Sequence, residues 1–413
     1  MEASDQTRPD TLDDRPAVRA VDVQRTDGGI ALTDRLGISE PTLVPDELLP
    51  IVGRCDGTRS LAEIAREASR QLRRKVPLAL VRDLVRQLDD RLLLVGPRFE
   101  TALQAAAAAF LAAPDRPARH AGSAGCPAEP AALRRALDEL LGRAASTDGP
   151  PVRGLVAPHI DLARGAAGYR AAYRRLLAAP AADLYVVFGT GHAGPSTPVT
   201  GLRLDWSTPL GTAATDRAFV DAVHAEFGAP DPASVLMHRD EHSLEFQVLF
   251  LQHLHELRGD PAPRIAGFLC GALPAAAGDP LREPWCRALL AAFRGAERAT
   301  PGRVCYLAGA DLAHIGPVFG DATAVGDDRL AALDTADRGY LALLERGEPG
   351  AFHAAIEAAG NGDRICSAPA ITLCGALAGG RGELLHYGQA RAEDGSQTVS
   401  FAALAFGAPA VTP

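Results

Sequence analysis

Four histidines stand where this chain could do chemistry. His159 closes the string Gly154-Leu155-Val156-Ala157-Pro158-His159, His192 lies in Gly189-Thr190-Gly191-His192-Ala193-Gly194, and His314 ends Gly309-Ala310-Asp311-Leu312-Ala313-His314. Each follows a short apolar run that reads as a strand, in what is expected to be a tight loop. The fourth, His242, falls in Arg239-Asp240-Glu241-His242-Ser243, just ahead of a strongly apolar helical stretch. Imidazoles from different strand ends on one rim, with Asp240 and Asp311 close by in sequence, are what a first-row transition metal takes from nitrogen and oxygen ligands. Two histidines and one carboxylate would leave positions open for water, substrate or O₂, whereas a closed set would be structural. Metal-dependent hydrolysis is the alternative, since such sets bind Zn²⁺ as readily as iron.

Other chemistries are disfavoured by what is missing. The glycines around His192 are spaced as GxGxxG but are not followed by the suitable acid of the dinucleotide fingerprint, no GxSxG elbow surrounds a serine, and no GxxxxGK[ST] string occurs. Lys75 is the only lysine, so Schiff-base chemistry has no residue in the C-terminal three quarters. The seven cysteines are scattered without a CxxC pair and most lie in apolar strings, the pattern of free thiols in a reducing compartment. His120, His224, His253, His255 and His353 are assigned to linker, surface or packing roles, and His386 is left open. A formal net charge of -9, from 42 basic and 51 acidic residues, argues against a nucleic-acid partner. The polar, acidic start has no secretory pattern, and the longest apolar stretch, Ala102 to Ala113, is shorter than the ~20 residues a bilayer requires. A cytoplasmic protein without membrane contact is expected.

The elements that must position these residues divide the 413-residue chain. Residues 1–28, rich in Asp, Arg and Thr, are expected to be a disordered tail. Residues 29–100 predict a small helical module: a strand at Ile30-Ala31-Leu32, a helix-like run at Pro45–Val52, a helix from Ser60 with Glu63 completing a capping box, a second helix over Pro77–Asp90, and a strand at Leu92–Pro97. Residues 101–149 predict an alanine-rich helix, a Pro/Gly-rich linker and a helix from Ala131. From Pro150, short apolar strands alternate with longer helices, which implies an α/β layer with a central mixed sheet and helices on both faces.

The string "CDGTRSLAEIAREA … LVRQLDDRLLLVG" resembles the PqqD-like family over residues 29–98. That resemblance implies a winged-helix-type module that recognises a peptide or docks on a partner protein. From about residue 150 to 408 the chain resembles the Memo family, known in bacteria as AmmeMemoRadiSam system protein B. The matching strings are "APHIDLARGAAGY", "VVFGTGHAG", "DWSTPLG", "RDEHSLEFQVLFLQ", "AGADLAHIG", "RICSAPAITLCGAL" and "LLHYGQARAEDGSQTVSFAALAF". The resemblance implies the fold of class III extradiol dioxygenases, a non-haem metal site for which Fe(II) is expected and copper or zinc are alternatives, and radical SAM and AMMECR-type partners. It also implies that His159 and His192 are metal ligands and that His242, oriented by Asp240, moves a proton. A cysteine can be the third ligand in this family, directly before the histidine of the "SD-x-C-H" string. That position is Ala313 here, which would leave Asp311, His314 or His242 to complete the shell. The expected function is a metal-dependent oxygenase or oxidase acting on a presented peptide, with a non-catalytic metal-binding accessory protein as the alternative.

Overall fold

The computed structural model describes residues 14–123, 125–142, 149–194, 197–276 and 278–407, and the chain divides into two compact units at Ala112/Ala113. The first contains strands β1 (Asp22–Thr26), β2 (Gly29–Thr33) and β3 (Thr42–Pro45) and helices α1 (Leu49–Val52), α2 (Leu61–Leu72), α3 (Leu78–Asp90) and α4 (Pro97–Leu111). The strands form one antiparallel sheet in the order β1-β2-β3. Its helices follow their sequence signals. Ser60 caps α2 and Glu63 returns a carboxylate to the Ser60 amide at 2.8 Å, and α3 buries Val81, Leu84, Val85 and Leu88 on one face.

Two expectations fail in this unit. The tail was expected to reach residue 28, but from Ala17 onward the backbone is paired: Val18 bridges Leu94, and β1 runs alongside β2. Residues 1–13 of that tail lie outside the described residues. The expected strand at Leu92–Pro97 is absent as well, because Leu92 adopts a left-handed φ of 59° and Pro97 opens α4.

The second unit holds β4 (Asp115–Pro117), α5 (Pro130–Leu141), β5 (Val152–Ala157), α6 (Ala166–Ala178), β6 (Leu184–Thr190), β7 (Val199–Gly201), β8 (Asp205–Thr208), β9 (Gly211–Ala213), α7 (Arg217–Phe227), α8 (Pro232–Met237) and α9 (His242–Arg258). It continues with β10 (Ile265–Cys270), α10 (Pro284–Ala299), β11 (Val304–Gly309), β12 (Asp311–Ile315), α11 (Asp327–Glu345), α12 (Pro349–Ala358), α13 (Ala368–Ala378), β13 (Gly382–Arg391) and β14 (Thr398–Gly407). It begins some forty residues earlier than the expected boundary at 150, because β4 pairs with β8 in a small sheet and ties the expected linker into the fold.

Its centre is an eight-stranded mixed sheet. Strands β5, β11, β6 and β10 run parallel, and β7 lies antiparallel against β10. Strand β14 pairs antiparallel with β13 along its length, with β5 over its C-terminal half and with β12 over its N-terminal half. Parallel strands covered on both faces have no polar side, so β6 (LYVVFGT) is buried at every position. Val186 and Phe188 join the core layer under α7, α10 and α11 to α13, while Tyr185 and Val187 join the layer under α5, α6 and α9. Helix α9 is buried continuously from Ser243 to His255, the pattern of a helix enclosed on all sides. The mixed α/β expectation with helices on both faces is met. The segment Asp311–His314, expected as a loop, is instead strand β12, with a register shift between Asp311 and His314.

Candidate metal centre

Two histidines lie just beyond the carboxyl ends of parallel strands: His159 two residues after β5 and His192 two after β6. His242 is the first residue of α9, and that helix packs its first turn directly on the sheet. The strands thin to glycine where it does so. A Cβ at Gly309 would lie 2.1 Å from the Ser243 carbonyl oxygen, and one at Gly189 would lie 2.5 Å from Ser243 Oγ. Gln247 on the next turn donates to the Pro158 carbonyl at 2.9 Å, and Ser243 Oγ accepts the Thr190 amide at 3.0 Å. One helix thus grips both histidine loops.

The three rings converge, with centroids 5.1 Å apart for His159 and His192, 5.2 Å for His159 and His242, and 5.0 Å for His192 and His242. One nitrogen from each lies within 4.8 Å of the others. Their remaining nitrogens face acceptors. His159 Nδ1 lies 2.9 Å from the Gly309 carbonyl, His192 Nδ1 lies 2.9 and 3.0 Å from the two Glu241 oxygens, and His242 Nδ1 lies 3.3 Å from Glu241. Such acceptors favour a proton on Nδ1, so Nε2 is the nitrogen that offers a lone pair once the ring is neutral, an arrangement common among metal-binding histidines.

Glu241 rather than Asp240 is the orienting carboxylate. It is buried, caps α9 through the Ser243 amide at 3.0 Å and receives the His192 amide at 3.3 Å. Burial alone would raise its carboxyl, but the His192 hydrogen bond and charge, with His242, hold it far below the usual carboxylate range. Asp240 points elsewhere, pairing with Arg239 at 2.8 Å and Arg119 at 3.7 Å. Adjacent residues cannot both turn inward at a helix N-cap, and the capping residue is the one that does.

Asp311 lies beside the cluster. Its Oδ1 accepts the His159 amide at 3.0 Å and its Oδ2 stands 3.5 Å from His159 Nε2. Burial pushes its carboxyl up to about 6, against the His314 charge and the amides of His159 and Ile160. His314 is set apart: its Nδ1 lies 3.2 Å from the Leu312 carbonyl and 3.3 Å from that of Arg364, with its ring against Phe319.

A thiol was missed by sequence reasoning. Cys366 Sγ lies 3.8 Å from His159 Nε2, and His192 also shares a hydrogen bond with it. Where position 313 offers only alanine, a thiol from the "RICSAPA" string stands beside the two histidines. Burial would raise this thiol, yet hydrogen bonds and charge from His159 and His192 lower it to about 6. His192 moves the other way: burial lowers it, but Cys366 and Glu241 raise it to about 10. His242 is driven down to about 3, first by burial and then by the His159 charge, and stays neutral. The fold rather than the sequence singles it out, since Cys366 is half-buried whereas the other cysteines are buried. Ser367 continues the site inward, accepting the Asp311 amide at 3.1 Å and meeting Thr190 Oγ1 at 2.8 Å.

His120, expected in a linker, lies beside the cluster with its ring tilted 5.3 Å from that of His242 and edge-on 6.0 Å from that of Phe246. The other histidines keep packing roles. His253 meets Asp138 at 2.9 Å, His255 meets the Pro261 carbonyl at 2.6 Å, and His386 lies over Phe401.

Residues 116–405 match the Memo-like protein family, a span that holds every residue of this centre. The chain belongs to the Memo-like family. A MEMO1 family protein of Aquifex aeolicus is 30% identical over 240 residues, 58% of this chain and 63% of that relative, so the chain covers less than two thirds of it. A MEMO1 family protein of Thermus thermophilus is 27% identical over 291 residues, 70% of this chain and 82% of its own. One from Archaeoglobus fulgidus is 44% identical over 77 residues, 19% of this chain and 28% of its own. In this Memo-like chain the three-histidine cluster is a possible metal site. Among the described residues no helix is long and apolar enough to cross a membrane.

Proposed function

We propose that the protein is a non-haem metal-dependent oxygenase or oxidase of class III extradiol dioxygenase-like architecture, with Fe(II) held by His159, His192 and Cys366. The observation that carries this reading is the set of three converging imidazoles, two of them with Nδ1 hydrogen-bonded to acceptors and the third with Nδ1 3.3 Å from Glu241. Two imidazoles and one anionic donor fit a first-row divalent ion with positions left open. When bound, the ion would supply Lewis acidity and a path for electrons between substrate and O₂.

The chain's own residues would do the rest. Glu241 fixes the His192 ring, and Gly309 fixes that of His159. Half-buried and neutral, His242 would take a proton from a hydroxyl or amide of the substrate, with Glu241 at 3.3 Å stabilising the imidazolium formed. Asp311 holds the His159 loop through its amide. A thiol beside His159 and His192 favours this reading over a non-catalytic accessory protein.

The N-terminal unit has its own hydrophobic core and leaves Val23 and Leu43 more than half exposed on β1 and β3. We extend the proposal to it as a PqqD-like platform for a peptide or protein partner, radical SAM and AMMECR-type proteins among the candidates. Leu43→Asp should abolish any stimulation of O₂ uptake by such a partner, and unchanged stimulation would remove the platform role. The central test is elemental analysis of anaerobically purified protein. Near-stoichiometric iron, lost in His159→Ala plus His192→Ala, is expected; zinc alone, with O₂ uptake absent after iron reconstitution, would replace the oxygenase with a hydrolase.

A further inference from the structure

We propose that Arg116 is a positioning residue of the metal centre, acting through Glu241 on His192 and His242. Arg116 lies in β4, in register with Trp206 of β8, and its guanidinium is buried over the Trp206 ring at 4.5 Å. Its Nε donates to the carbonyl of His238 and its Nη2 to the carbonyl of Glu241, spanning the turn that delivers Asp240, Glu241 and His242. Its Nη1 lies 3.4 Å from Oε2 of Glu245, a carboxylate with no solvent exposure.

Glu245 closes the brace from the other side. Its Oε2 accepts the Arg119 amide at 2.9 Å and its Oε1 the His120 amide at 2.8 Å. Segment 116–120 and the start of α9 are therefore locked together by one buried ion pair and four further hydrogen bonds to backbone groups. A buried pair of this kind is weak evidence for stability, because desolvation offsets most of its attraction. What the planar, five-donor fork offers instead is direction: it fixes two carbonyls and a carboxylate at once, which an ammonium cannot. The carbonyl it fixes belongs to the residue whose carboxylate holds the His192 Nδ1, so displacement of Arg116 reaches the ligand in one step.

The test is Arg116→Lys in the full-length protein, which keeps the charge beside Glu245 and loses the fork. In metal-free, histidine-labelled protein the His192 Nδ1 proton resonance, assigned through His192→Gln, is expected to shift or vanish by NMR. The inference rests on the metal reading for its second readout: the Co(II) dissociation constant should rise about 10–100-fold, the usual effect of losing an outer-shell partner. Phe293→Leu, a core change in the opposite layer, should lower the melting temperature without moving either signal. If Arg116→Lys does not fold, Arg116→Gln combined with Glu245→Gln removes both buried charges and carries the same expectation. An unchanged His192 resonance in a folded variant overturns the positioning role. Wild-type protein that ignores Co(II) overturns the metal reading instead, and the imidazole resonance alone then decides the brace.

Discussion

Helix α9 carries a histidine at each end, half-buried His242 and buried His255, and the two ends behave differently. At its N-terminus His242 faces two further imidazoles, whose Nδ1 atoms meet the Gly309 carbonyl and the Glu241 carboxylate, with its own Nδ1 3.3 Å from Glu241. At its C-terminus His255 faces a cleft of about 560 Å³ with Asp183, Asp260, Arg264 and Arg303 in its lining. There both ring nitrogens are engaged, by the Pro261 carbonyl and the Tyr185 hydroxyl. Arg303 donates to the Ala181 carbonyl at 2.5 Å, and Arg264 is paired with Asp216. A charged cleft beside a histidine therefore does not by itself mark a metal site. What sets the N-terminal end apart is three imidazoles that each bring a nitrogen within 4.8 Å of the others, a possible metal site.

The largest effect expected from breaking this contrast is in His159→Ala plus His192→Ala, which should bring metal content from near stoichiometric to background. Cys366→Ser comes next: loss of the thiolate should remove the sulfur-to-metal charge-transfer band of the Co(II) protein, and a retained band would exclude Cys366 as a ligand. Glu241→Gln keeps the shape and one acceptor but weakens the hold on His192, and should lower metal affinity about 10–100-fold by competitive titration. Acidification sharpens the picture further. In the metal-free protein His192, held by Glu241, keeps its proton up to about 10 and must release it to bind metal, so affinity should fall about tenfold per pH unit on going from pH 8 to pH 6, with proton release measured by calorimetry. The smallest effect on metal belongs to the other end of the helix. His255→Gln should leave metal affinity unchanged while destabilising the fold by about 1–3 kcal/mol, read from denaturant unfolding.

Much of this centre was legible in the sequence because local rules placed it. His159 and His192 follow uniform apolar strands, and His242 starts a helix whose apolar run is unmistakable. The partners were not legible, because each is a long-range meeting. Cys366 reaches His159 across 207 positions of sequence, and Glu241 reaches His192 across 49. Choosing Glu241 over Asp240 needed the helix cap, and no periodicity distinguishes two consecutive acids. Strand β12 was hidden for a related reason: its register shift breaks the alternation that marks a strand, and its partner β14 lies some ninety residues on. His120 was hidden by the Pro/Gly-rich composition around it, which masked the short strand β4 that brings it in.

The place of β14 has a consequence for how the protein is made. Among the described residues, β12 pairs within the sheet only with β14, and the β14 register sets Asp311 against Phe401. During synthesis at ~5–20 residues per second, the strand bearing Asp311 leaves the ribosome several seconds before its partner exists. The parallel core of β5, β6, β10 and β11 can assemble in that interval, but Asp311 has no fixed address until Thr398–Gly407 has emerged. Metal supplied to the nascent chain would therefore meet an unfinished cluster until β14 has emerged.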